Sequence, residues 1–369
     1  MQLQPIIEKL ISFKTISGNI TEIDRCLEYI QTLLKPSKAK VSIERFPNAS
    51  PVIFARNTDT EHFDVLVLGH LDVVPANDDM FIPRYENGQL YARGALDMKS
   101  FAAVAINSMF YVMENKLSLK FGFILSTDEE VGSASLEAFL KENPNLKSDI
   151  VLDNDVGGDI TKIITRCKNP VYVKLKASGH SAHGSTPWEG LDANEQLLKT
   201  WQNIRKQYPY FSLLTGKPED SWIDTLHFAT IKGGEVANII SNEAEAMLDF
   251  RLTEKSSVED LCQNLKKCMA DGVTFEVVLQ SIAVITDENN PFLLSYKSLA
   301  EDVLGQKIDF EYIGGATDSR ALYERGSTVI MHSGTGQGMH AENEYVVLQS
   351  VEQIADIQIR FLEKLAGQK

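Results

Sequence analysis

The sequence predicts an α/β fold built on a mostly parallel sheet and interrupted by a smaller α+β domain. Three observations carry this. Short apolar runs alternate with helical patterns through the first 165 residues, the pattern changes to strict alternation near Pro170, and the first pattern returns after about residue 285. A chain of 369 residues has room for two such domains.

The elements follow in order. Ile6, Ile7, Leu10 and Ile11 share one helical face, as do Ile23, Leu27, Ile30, Leu33 and Leu34. VSIERF (41–46) and PVIFARN (51–57) read as a strand pair. DVLVLGH (64–70), LKFGFILST (119–127) and SDIVLD (148–153) are short apolar runs, as expected of strands covered on both faces. Helices are expected over 100–115 and from Ser133 to Leu140. In VYVKLKA (171–177), Val171, Val173 and Leu175 fall on one face and Tyr172, Lys174 and Lys176 on the other, so one face of that sheet is wet. A helix near 191–207, the strands TLHFATIKG and EAEAMLDFRL, a helix over 257–270 and the strand VTFEVVLQ complete a β-α-β-β-α-β order, the ferredoxin-like unit. The expected division is therefore 1–168 and 285–369 for the larger domain, with 169–284 inserted.

Charge and composition narrow the function. The net charge is −15, with 51 acidic against 36 basic residues and no basic stripe, which argues against nucleic acid or an anionic membrane surface as partner. No apolar run approaches the ~20 residues of a membrane span. The start, MQLQPIIEKLISFKTIS, lacks the basic and apolar regions of a secretory signal. The four cysteines form no CxxC pair, so a reducing, cytoplasmic setting is expected and a thiolate metal site is not.

Five features place acids or histidines after an apolar run or in a glycine-rich loop. His70 and Asp72 in GHLDVVP point the same way in extended chain, so Asp72 can orient the ring of His70; His70 also reads as a structural histidine. Asp97 in YARGALDMKS reads as a helix N-cap or as a ligand. Asp128, Glu129 and Glu130 are either a solvated acidic turn or a cluster that needs a cation. Asp153, Asn154 and Asp155 form a turn or contribute a ligand, and His340 lies in the loop GTGQGMHAENEYV. Together, two histidines and several carboxylates without cysteine make an oxygen and nitrogen donor set suited to a pair of Zn²⁺-class ions.

In these residues the chain resembles the di-zinc aminoacylase and exopeptidase family, which includes acetylornithine deacetylase, succinyl-diaminopimelate desuccinylase, carboxypeptidases and dipeptidases. GHLDVVP, YARGALDMKS, STDEEVGS, AHGSTPWEGLDAN, GGEVANIIS, GGATDSR and MHAENE carry the resemblance over nearly the whole chain. It implies a zinc-exopeptidase-like catalytic domain with an inserted ferredoxin-like lid, and a homodimer formed through that lid. It implies two divalent metal ions, Zn²⁺ first and Co²⁺ or Mn²⁺ as alternatives. His70, Asp97 and Asp153 would hold one ion and Asp97, Glu130 and His340 the other, with a cis peptide after Asp97. Glu129 would be general base and then general acid, with Asp72 steadying His70.

Two departures stand out. Leu152-Asp153-Asn154 replaces the usual Gly-Glu-Pro, which looks like the dipeptidase branch and leaves Asp155 as a rival ligand; Ser100 replaces a glycine. On the lid, the offsets to Pro187 and Gly190 favour His183 over His180 as the oxyanion donor. His62, His227 and His332 read as structural or surface residues. Asn238, Arg251 and Arg320, with the Gly314–Gly315 backbone nearby, are expected to bind the substrate carboxylate; an ion pair with Asp249 is the other reading of Arg251.

The expected activity is hydrolysis of an amide bond in an N-acyl amino acid or small peptide by metal-activated water, in the manner of the deacetylases and desuccinylases. Dipeptidase or carboxypeptidase action is the alternative, and a non-catalytic binding module on the same fold is a remote one.

Overall fold

The computed structural model describes residues 2–208, 211–212 and 215–367. The chain divides into two compact units. The first comprises Met1–Thr165, Ile285–Glu311 and Thr317–Lys369; the second comprises Arg166–Val284 and Tyr312–Ala316.

A nine-stranded sheet organises the first unit. Its centre is parallel: His62–His70 lies between Phe121–Ser126 and Lys147–Asp153, and Thr328–Met331 continues on the far side of Lys147–Asp153. The flanks are antiparallel. Lys40–Phe46 and Ala49–Arg56 form a hairpin that joins Phe121–Ser126, while Lys162–Cys167 pairs with Thr328–Met331. The central strands are buried along their length, which is why they read as unbroken apolar runs. Helices Leu3–Ser12, Ile20–Leu34, Lys99–Glu114 and Leu348–Gly367 contribute to the core, where Leu10, Ile11, Leu27, Phe101 and Phe361 are buried.

Parallel register decides where chemistry can gather. His70 pairs with Ser126, and Leu68 pairs with Asp153, so three neighbouring strands end together. The loops that leave those ends carry Asp72, the Asp128–Glu130 acids and the Asp153–Asp155 turn.

A small sheet of Arg84–Glu86, Gln89–Tyr91, Tyr345–Val347 and Gly336–Gln337 joins two loops that are far apart in sequence. Its strands are two or three residues long, too short for a period to show. Gly336 is needed there, because a Cβ would lie 2.3 Å from the Tyr345 carbonyl oxygen.

The second unit is a four-stranded antiparallel sheet in the order Thr225–Gly233, Glu243–Leu252, Asn169–Ser178 and Val273–Gln280. Helices Ala193–Gln207 and Val258–Cys268 complete the ferredoxin-like order, capped by Asp192 and Ser257. Val171, Val173 and Leu175 are buried with Leu197 and Leu265, as the alternation predicts.

Candidate metal centre

Two groups of side chains converge in the first unit. His70, Asp97 and Asp155 form one and Asp97, Glu130 and His340 the other; within each, the donor atoms lie within 4.8 Å of one another. Asp97 belongs to both. Its Oδ1 is 2.9 Å from His70 Nε2, and its Oδ2 is 3.0 Å from His340 Nε2. His340 Nε2 is also 2.9 Å from Glu130 Oε2, and His70 Nε2 is 3.7 Å from Asp155 Oδ2.

Local structure explains these positions. Helix Lys99–Glu114 has no side-chain cap, so the N-cap reading of Asp97 does not hold; its carboxylate faces the two histidines instead. The Asp97–Met98 peptide is cis. His340 has φ 64°, a left-handed conformation uncommon outside glycine, and Gly338 before it has φ 79°. Asp72 accepts hydrogen bonds from the Glu129 and Glu130 N–H groups at 3.1 and 3.2 Å and from Ser17 Oγ at 2.7 Å. His70 Nδ1 lies 3.0 Å from the Asp72 carbonyl oxygen, so one residue steadies both the ring and the two glutamates.

Asp153, expected as the fifth ligand, joins neither group. Ser319 Oγ, from a distant loop, donates to its Oδ2, and the Asp155 N–H donates to Oδ1 at 2.8 Å within the turn, so each oxygen already accepts a hydrogen bond. Asp155 takes the place beside His70 and Asp97. Asn154 bridges backward, with Nδ2 donating to the His332 carbonyl at 2.5 Å and Oδ1 accepting from Gln358 at 2.9 Å. Sequence reasoning overlooked Asp318, buried against Glu129 and accepting from Ser133 Oγ; the GGATDSR motif that drew attention to Arg320 also contained it.

The electrostatics of this centre call for a cation. Burial, followed by the charges of Asp318, Asp97 and Asp72 against an opposing effect of His70, pushes the Glu129 carboxyl up to about 8. Burial and Asp97 raise Glu130 to about 7, and burial with Asp97 holds Asp155 well above its usual range. For Asp97 burial acts upward, but hydrogen bonds from His340 and His70 reverse it and hold the carboxyl below the usual range. Closely spaced carboxylates that resist ionisation, with two imidazoles and no thiolate, fit a hard or borderline divalent ion.

The remaining expected site residues are held by other partners. Arg320 donates to the Thr317 carbonyl at 3.0 Å and lies 3.5 Å from Asp318. In the second unit, Asp249 engages Arg251 at 2.8 and 3.0 Å, and Tyr172 lies 3.3 Å away, the ion pair that was its alternative reading. His183 is exposed, its Nδ1 2.7 Å from Ser185 Oγ. Its loop meets that of Asn238, where the Gly184 N–H donates to the Asn238 carbonyl at 2.8 Å.

This fold and this centre define a metal-dependent hydrolase of amide or peptide bonds. The chain belongs to peptidase family M20/M25/M40, whose family model matches residues 66–364. It is 24% identical over 393 residues to a succinyl-diaminopimelate desuccinylase of Rickettsia felis, covering 97% of this chain and 98% of that one. A similar desuccinylase from Acinetobacter baumannii is 25% identical over 383 residues, covering 95% and 96%. The fold is shared with an M20 family metallo-carboxypeptidase of Sulfolobus solfataricus (TM-score 0.81, 19% identity, 99% of each chain). It is also shared with human carnosine dipeptidase 1 (TM-score 0.73, 16% identity, 99% and 96%). Among the described residues, no helix is long and apolar enough to cross a membrane.

Proposed function

We propose that the chain removes an acyl group from an N-acyl amino acid, of the succinyl or acetyl kind, with two divalent ions, Zn²⁺ first. The observation that carries this is the sharing of Asp97 between two donor groups with Glu129 alongside. The desuccinylase relatives support the substrate class.

His70, Asp97 and Asp155 would hold one ion and Asp97, Glu130 and His340 the other. When bound, such ions acidify water and polarise the scissile carbonyl. Glu129 takes a proton from the attacking water, whose oxygen bonds to the carbonyl carbon. It then gives that proton to the amide nitrogen as the C–N bond breaks, leaving a carboxylic acid and an amine; the acid's remaining proton, the second from the water, passes to the amine, so the products are a carboxylate and an ammonium. Glu129 suits both transfers by position, since it lies beside His70 and Asp155 yet belongs to neither donor group. His183 is proposed as the donor to the developing oxyanion, and Asn238, Arg251 and Arg320 as carboxylate contacts. The two engaged arginines would have to exchange partners to serve. A cytoplasmic homodimer formed through the second unit completes the proposal.

Dipeptidase action is the second reading, favoured by Leu152-Asp153-Asn154 where many members carry Gly-Glu-Pro. A panel of N-succinyl and N-acetyl amino acids and dipeptides, each assayed with Zn²⁺ or Co²⁺ and after chelation, separates the two. Full activity in metal-free protein would remove both.

A further inference from the structure

We propose that Glu344 is the positioning residue that holds Asp97 where both donor groups share it. The inference rests on the reading of Asp97 as a shared ligand, and concerns a residue outside both groups.

Glu344 is 1% exposed. Its Oε1 accepts from the N–H groups of Leu96 at 2.9 Å and Asp97 at 3.1 Å. Its Oε2 accepts from the Gly94 N–H at 3.1 Å and from Arg93 Nη1 at 2.5 Å. The Glu344 carbonyl accepts from the Ala92 N–H at 3.2 Å. One residue thus takes five hydrogen bonds from the six residues that end at Asp97. Glu344 also follows His340 by four positions and precedes the strand Tyr345–Val347, whose Tyr345 pairs with Tyr91. The loops that deliver Asp97 and His340 are therefore one block, with the Glu344 carboxylate at its centre.

A buried carboxylate is tolerable when its oxygens are filled by good donors and a paired cation, and Arg93, 4% exposed at its side chain, supplies the cation. The bonds to Leu96 and Asp97 act on the peptide backbone that aims the Asp97 side chain. Leu96 and Asp97 cannot both keep their bonds if Oε1 becomes an amide nitrogen; if Oε2 does, Arg93 and Gly94 lose theirs.

The test is metal binding rather than turnover. Apo wild type and Glu344→Gln are titrated with Zn²⁺ by calorimetry and with Co²⁺ by absorption. Because Asp97 is shared, Glu344→Gln should weaken both binding events, by ~10–100-fold as for other losses behind a ligand. Glu130→Gln, which touches one group, should weaken one event. Arg93→Lys leaves Oε1 on its two N–H groups and should change either affinity less than Glu344→Gln does. A Glu344→Gln protein that melts lower yet binds both ions with wild-type affinity overturns the proposal, since only a structural role would remain. Hydrogen exchange on metal-free wild type tests it even if that variant does not fold. The Leu96 and Asp97 amides should be protected, and exchange at the rate of an exposed loop would overturn the clamp. Wild type that binds neither ion would instead remove the underlying metal reading.

Discussion

His340 Nε2 lies 3.0 Å from Asp97 Oδ2 although 243 residues separate them in sequence. The same nitrogen is 2.9 Å from Glu130, so one exposed imidazole gathers carboxylates from two other segments. The centre is assembled by topology, and its parts should fail in distinguishable ways.

Glu129 stands outside both donor groups. Glu129→Gln should keep the metal content of wild type while turnover falls ~10²–10⁴-fold. Metal analysis beside kcat checks it; loss of metal would mean that Glu129 and Glu130 have exchanged roles.

Asp155 and Asp153 separate by parallel substitution. Asp155→Ala should weaken one metal-binding event by more than ~100-fold, beyond the range of outer contacts, while Asp153→Ala, through the Ser319 bond and the turn, should stay within ~10–100-fold. The opposite ranking in a two-site titration restores Asp153 as the ligand.

His183→Ala should fold, bind metal and lower kcat by ~10²–10³-fold with little rise in KM, as for an oxyanion donor. If a partner subunit supplies it, mixing His183→Ala with Glu129→Gln restores partial activity. Demonstrated subunit exchange with no recovery assigns the residue to its own chain or to no role in the reaction.

His332 is buried, its Nε2 2.8 Å from the Ile160 carbonyl and its Nδ1 3.2 Å from Tyr296 Oη, and burial lowers its pKa to about 4. The unfolded chain regains an ordinary histidine near 6.5 and takes up the proton first as pH falls. Stability from a neutral His332 is therefore complete above about pH 6.5 and is lost between there and about pH 4. Urea unfolding of metal-free protein should show a steeper loss for wild type than for His332→Gln across that window, by up to about 1.4 kcal/mol per pH unit. Equal slopes would show that burial does not keep the ring neutral.

Much of this was legible in the residues. The buried strands announce themselves because neither face meets water, and the lid strands because one face does. His70, Asp97, Glu130 and His340, which the structure brings together, each sit in a motif legible in the sequence. The resemblance points to Asp153 and leaves Asp155 as its rival, and the residues alone do not choose between them: the serine that engages Asp153, Ser319, is 166 residues away in sequence. Glu344 was missed for a related reason. Its importance lies in accepting backbone N–H groups, and backbone donors leave no mark in a sequence.

Thr328–Met331 pairs on one side with Lys147–Asp153 and on the other with Lys162–Cys167, so a late segment completes the interior of a sheet begun by early ones. During synthesis the whole of Arg166–Val284 emerges before that segment does. Through that interval Lys147–Asp153 offers an open edge, a template for pairing with the wrong strand or another nascent chain. Chains halted before residue 328 should therefore be the ones most in need of chaperones, whatever the metal supply.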